Sequence, residues 1–249
     1  MSSQFSKKEA VRFGWHTWKA NIVFFLAVLL TTWIISAIPN ALESALGKGS
    51  ALDSIIRLVS WIFSVVVGIG TTKIALAFAR GQKPDFNELF TNYPLFFKYL
   101  FGSILYAVIV TVGLLLLVVP GVIWAIKFHF FSYFIVDKGV GPIEALKRSS
   151  QLTKGVKGEL LVFMLLLVGI NILGLIVIFI GLLATIPLSM VAVAFVYYKL
   201  LAQTDSSASD SGDGTGRPEG VLAVPTPVVT INETNLASPI LTPETPVAN

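Results

Sequence analysis

The stretch "YLFGSILYAVIVTVGLLLLVVPGVIWAIKFHFFSYFIV", Tyr99 to Val136, decides the fold. It is 38 residues long and its only formal charge is Lys127. A helix rises about 1.5 Å per residue, so a hydrocarbon core about 30 Å thick is crossed by roughly 20 residues. The run is too long for one crossing, and "VVPGV" supplies a break in its middle. Two helices folded back at Pro120-Gly121 account for it, with Pro120 in the first turn of the returning helix, where its missing N–H costs nothing. Barrel strands would alternate in polarity, and an open strand edge finds no hydrogen-bond partners in lipid.

The same reasoning applies to Leu160 through Ala202, 43 residues with no charge except Lys199, broken at "GLLATIPLSM" before a return helix opened by Pro187. Towards the N-terminus, "NIVFFLAVLLTTWIISAI" ends at Pro39 and a polar loop, and a second apolar run covers Ser54 to Ala79. Six spans follow, at about 21–38, 54–79, 99–119, 121–137, 160–181 and 186–202. Interfacial segments are expected at about 5–20, 84–98 and 141–157. The expected fold is an all-α, polytopic membrane helical bundle of three hairpins over residues 1–203. Lys7 and Lys8 precede the first run by too many residues for a signal peptide, and that run reads as an uncleaved span.

Composition agrees: 55% of the 249 residues are hydrophobic and 13% charged, against about 25% charged in an average soluble domain. Residues 1–203 carry 17 bases and 8 acids, while the remainder has six acids and only Arg217 as a base. With a cytoplasmic N-terminus, thirteen bases fall on inside segments and only Lys48 outside, with Arg57, Lys73 and Lys127 within spans. That asymmetry predicts a cell-membrane protein with both termini cytoplasmic, and explains the basic surplus without nucleic acid. Residues 204–249 are rich in Ser, Thr, Pro, Gly and Asp without helical or strand periodicity, and are expected to form a disordered, solubilising tail. The "NET" at Asn232 is read as a chance match to a glycosylation acceptor. No cysteine is present, which excludes disulfides and thiolate chemistry.

Two short charged segments share a pattern. From "EAVRFGWHTWKA", Glu9 to Ala20, into the run that follows it, the residues Val11, Trp15, Trp18, Ile22 and Phe25 form one apolar stripe beside a basic stripe of Arg12, His16 and Lys19. Such a helix is expected to lie in the headgroup layer with its rings at the interface and its cations toward anionic phosphates. In "EALKRSSQLTKG", Glu144 to Gly155, alignment of Glu144 with Glu9 places Lys147 on Arg12, Gln151 on His16 and Lys154 on Lys19, while Ser150 and Thr153 replace the aromatic anchors. A third, fainter copy lies in "ELFTNYPLFFK", where Glu88 and Lys98 keep the spacing but Pro94 argues against a continuous helix. The chain thus reads as three parallel units of interfacial segment plus hairpin, and parallel units do not point to inverted-repeat transport.

The stretch from Val118 to Gly155 resembles the prokaryotic glycerophosphoryl diester phosphodiesterase membrane domain and related uncharacterised integral membrane proteins. The resemblance is carried by Pro120-Gly121, Val136-Asp137, Gly141, Glu144-Ala145-Leu146, Ser149 and Lys154-Gly155. It implies a membrane module whose hydrolytic activity belongs to a separate fused domain, so no catalytic residues are carried over.

Intramembrane polar residues are the default place to look for function. Lys127 falls near mid-span with His129 close by, and Asn171 in "GINILG" is placed to bond across helices. Lys73 lies within reach of the inner interface, and Arg57 sits one turn from Asp53. No metal-ligand cluster, phosphate-cradling loop or Ser/His/Asp set is present, so no cofactor is expected. The expected function is a non-enzymatic module that organises anionic lipid, a protein partner or further copies of itself through Arg12, Lys19, Lys147, Arg148 and Lys154. The alternative is a small transporter or channel whose pathway passes Lys127 and His129.

Overall fold

A computed structural model of the chain describes residues 5–46, 51–176 and 180–210. Nine α-helices and two 3₁₀ turns make up these residues, with no strand among them. In order they are α1 (Lys7–Ala20), α2 (Ile22–Leu46), α3 (Ala51–Ala79), the turns Phe86–Leu89 and Tyr93–Leu95, α4 (Phe96–Leu116), α5 (Val118–Phe128), α6 (Phe131–Lys138), α7 (Pro142–Leu152), α8 (Lys157–Ile176) and α9 (Ile180–Asp210). The protein is a multi-pass helical membrane protein. Five helical stretches are long and apolar enough to cross a bilayer, and a sixth arises if α1 and the first part of α2, bent by 90°, count as one span.

Local chemistry explains the boundaries. Ser6 caps α1 by accepting a hydrogen bond from Glu9 N–H at 3.2 Å, the Ser-x-x-Glu arrangement that satisfies orphan N–H groups of a first turn. Asp85 does the same for the first 3₁₀ turn through Asn87 N–H at 3.0 Å. Gly139 takes a left-handed φ of 63° where α6 ends, and Pro142 opens α7.

Packing follows the three-unit plan. The second helices of the hairpins, α3, α6 and α9, supply most of the core through Val67–Ala79, Phe130–Val136 and Leu188–Leu200. The outer members α2, α4 and α8 leave apolar side chains such as Val23, Val108 and Leu165 facing outward, as lipid-facing helices do. Each connecting segment docks on the second helix of the preceding hairpin in cyclic order: residues 86–89 on α3, α7 on α6, and α1 on α9. The connecting segments therefore link the three units in cyclic order, which short-range periodicity does not reveal.

Several boundaries differ from expectation. The chain turns at Leu117, whose extended backbone separates α4 from α5, so Pro120 sits in the third position of α5. The return span is broken at His129 and Phe130 into α5 and α6. In the third hairpin the return helix begins seven residues before Pro187, which lies inside α9; a membrane helix tolerates an interior proline because neighbouring groups re-satisfy the freed carbonyl. Helix α2 continues through Pro39 to Leu46, where a polar loop was expected. Helix α9 continues past residue 203 to Asp210, and residues 211–249 of the expected tail lie outside the described residues.

The interfacial segments also differ. The α1 helix ends at Asn21, so Ile22 and Phe25 do not extend its stripe. Its buried face is Ala10, Phe13 and Gly14, whereas Trp15 is exposed. Backbone proximity and one ring contact seat it on α9: a Cβ on Gly14 would lie 2.5 Å from the Leu188 carbonyl oxygen, and Phe13 stacks on Phe195 with ring centres 4.7 Å apart. Segment 84–98 contains two separate 3₁₀ turns before α4 begins, as a proline at position 94 demands.

Candidate functional site

An ion-pair cluster joins the ends of α3 and α6 to Tyr197 and Tyr198 in the middle of α9. Asp137, at the end of α6, has a side chain only 1% exposed. Arg80, just past α3, forms a direct ion pair with Asp137 Oδ1. Tyr198 Oη donates to the same oxygen at 2.8 Å, and Tyr197 Oη donates to Oδ2 at 3.3 Å. Lys138 Nζ lies 3.3 Å from Oδ2. Arg80 Nε in turn donates to Tyr198 Oη at 2.5 Å, and its guanidinium stands 5.2 Å from the centre of the Tyr198 ring. A buried carboxylate is tolerated when its lone pairs are filled by charged and hydroxyl donors, and here three helices supply them. Tyr197 is enclosed by the rings of Phe130, Tyr133 and Phe134. These partners cover about one turn at the start of α6 yet meet one position of α9, so large rings join the two helices.

Helix α7 mends the break in the fourth span. Ser149 Oγ donates to the Lys127 carbonyl at 3.0 Å and accepts from Phe130 N–H at 3.1 Å. Thr153 Oγ1 lies 3.1 Å from the same carbonyl. Both hydroxyl residues are fully buried. A helix break in a nonaqueous setting leaves backbone groups that must find partners, and α7 provides them. The Lys127 ammonium itself rests 4.9 Å from the Phe128 ring centre, and His129 stacks edge-on against Phe130. Asn171 does bond across helices, donating to Ser189 Oγ on α9 at 2.8 Å and to its own Leu167 carbonyl.

The basic residues of α1 and α7 fall into two sets. Arg12, Lys19, Lys147 and Lys154 are exposed, and the Lys19 ammonium lies 5.0 Å from the Trp15 ring centre. Arg148 is half-buried and pairs with Glu144 one turn earlier. Lys199 of α9 pairs with Glu9 of α1 at 3.2 Å, tying the start of α1 to the same end of the bundle. Lys73 donates to Asn92 Oδ1 at 2.9 Å, so the first connecting segment satisfies an intramembrane lysine. Arg57 is exposed, and the Asp53 side chain expected beside it lies outside the described residues.

A cleft of about 120 Å³ between α2 and α3 is lined by Thr32, Ser36, Ser64, Gly68 and Thr71, away from Lys127 and His129. No group of three or more metal-ligating side chains occurs among the described residues.

Sequence reasoning placed Arg80 only as an inside charge and Asp137 only within a family motif. The signal that joins them is tertiary, since they are 57 positions apart. Tyr197-Tyr198, adjacent phenols at the end of an apolar span, was the one legible hint.

Residues 101–205 match the family described as a protein of unknown function (DUF975). The matched region runs from the first turns of α4 into α9, and so contains Asp137, Ser149, Thr153 and Tyr198 but not Arg80, Arg12 or Lys19. No curated protein and no solved structure matches the chain.

Proposed function

We propose that the protein is a non-enzymatic module of the cell membrane that gathers anionic lipid headgroups at its basic end, with both termini on the cytoplasmic side. The observation that carries this reading is the set of exposed cations Arg12 and Lys19 on α1, Lys147 on α7 and Lys154 in the turn that follows it, α1 and α7 each docking on the second helix of the preceding hairpin. Lys19 beside exposed Trp15 is the pairing expected of a side chain at the headgroup level, where rings sit at the interface and cations reach phosphate. Each such cation contributes about 1 kcal/mol near an anionic surface. The resemblance to the membrane domain associated with glycerophosphoryl diester phosphodiesterases fits this reading, since that module carries no hydrolytic residues of its own.

The test is the lipid retained by purified protein in nanodiscs of equal anionic and zwitterionic content. Native protein is expected to enrich the anionic species, and Lys147→Glu with Lys154→Glu to abolish that enrichment while leaving the melting temperature within a few degrees of native. Equal retention of both lipids by native protein overturns the proposal. A preference unchanged in the double variant would remove α7 from it.

A further inference from the structure

The three units are joined at one end. Toward the hairpin tips the central helices expose their apolar residues, among them Leu58 and Trp61 on α3 and Leu183 and Ile186 on α9. Toward the basic end each unit contributes one polar group to a common point: Arg80 from the first, Asp137 from the second and Tyr198 from the third.

We propose that the Arg80–Asp137–Tyr198 cluster is an axial lock that holds the three units closed around an aromatic plug, and that releasing it opens the plug to water from the basic end. The plug is the set of rings directly beneath the lock, Tyr197 with Phe130, Tyr133 and Phe134. The lock is asymmetric in its access to solvent. The Asp137 side chain is 1% exposed, while the Arg80 side chain is 36% exposed. The guanidinium can therefore exchange its buried partner for water, whereas the carboxylate has no outlet of its own. Removing the carboxylate charge leaves Arg80 free to turn outward and weakens the acceptor shared by the two tyrosine hydroxyls, with only one carbonyl oxygen remaining for both, so the contacts that join the three units weaken together. A merely local ion pair would join two elements; this one joins three, none of them adjacent in sequence.

The cysteine-free chain makes the lock directly testable. Ala194, fully buried on α9 one turn from Tyr197 and Tyr198, is replaced by cysteine in the full-length protein. Its reaction with a water-soluble maleimide is then timed in nanodiscs, where both faces are accessible. Slow labelling is expected with the lock intact, and Asp137→Asn should speed it at least tenfold. The exchanged pair Arg80→Asp with Asp137→Arg should return the rate most of the way to native. Tyr198→Phe, which keeps the ring and removes one hydroxyl, should give a smaller rise of about two- to fivefold and serves if Asp137→Asn does not fold. An unchanged rate in whichever of these variants folds overturns the proposal. So does a rise that the exchanged pair fails to reverse and that Leu160→Ala, a core variant of matched melting temperature, reproduces, because loosening would then be general.

Discussion

Ser149 joins two helices that the chain itself leaves broken. Its hydroxyl is both donor to the Lys127 carbonyl and acceptor from Phe130 N–H, so replacing it removes partners from two buried backbone groups. Ser149→Ala should destabilise the protein by about 1–3 kcal/mol, the cost of unsatisfied buried polar groups. Thr153→Val should cost less, about 1 kcal/mol, because Ser149 still serves the same carbonyl. Unfolding by denaturant in mixed micelles, followed by circular dichroism, would measure both. The sequence marked Ser149 as part of a motif and Lys127 as an intramembrane charge. It could not show that α7 serves the carbonyl of Lys127 rather than its ammonium, because a hydrogen bond across 22 positions leaves no local pattern.

Elements in this protein are seated by small residues as much as by large ones. Gly14 brings α1 against the Leu188 carbonyl, and Gly70 brings α3 against Leu89, where an added Cβ would lie 2.4 Å from the Leu89 Cα. Gly14→Val and Gly70→Val should each force neighbouring backbone apart and lower stability by about 1–3 kcal/mol, as overpacking does. Gly158, near the start of α8, has nothing within 4 Å of such a Cβ. Gly158→Ala should therefore be neutral or raise stability by up to about 1 kcal/mol through helix propensity. Melting temperatures of the three variants in one detergent provide the comparison. The helical periodicity of α1 was legible in the sequence, and Val11 and Trp18 of its stripe do pack against the core, but the more deeply buried Ala10, Phe13 and Gly14 were not picked out. A wheel ranks Trp15 and Trp18 as the apolar side because it scores transfer from water, whereas close helix contact in a membrane protein depends on how near backbones can approach.

At the scale of the whole molecule, three hairpins stand around a core built from α3, α6 and α9, with cations gathered at one end. Orientation is testable with the same cysteine-free background. Leu117→Cys, at the exposed turn between α4 and α5, should label with a membrane-impermeant reagent added outside intact cells. Ser6→Cys, which retains the chain's start at the basic end, should label only after permeabilisation. The opposite pattern would invert the orientation read from the charges. The hairpins and that charge asymmetry were determined by the sequence alone, because burial in lipid acts on uninterrupted apolar length and on the placement of Lys and Arg, both of which are linear properties. The cyclic docking of α1, residues 86–89 and α7, the mending of the α5–α6 break, and the meeting of Arg80, Asp137 and Tyr198 were decided only by tertiary structure. Each depends on which side chains face one another across helices, and in a chain whose spans are apolar on every side, composition does not choose the facing partners; packing does.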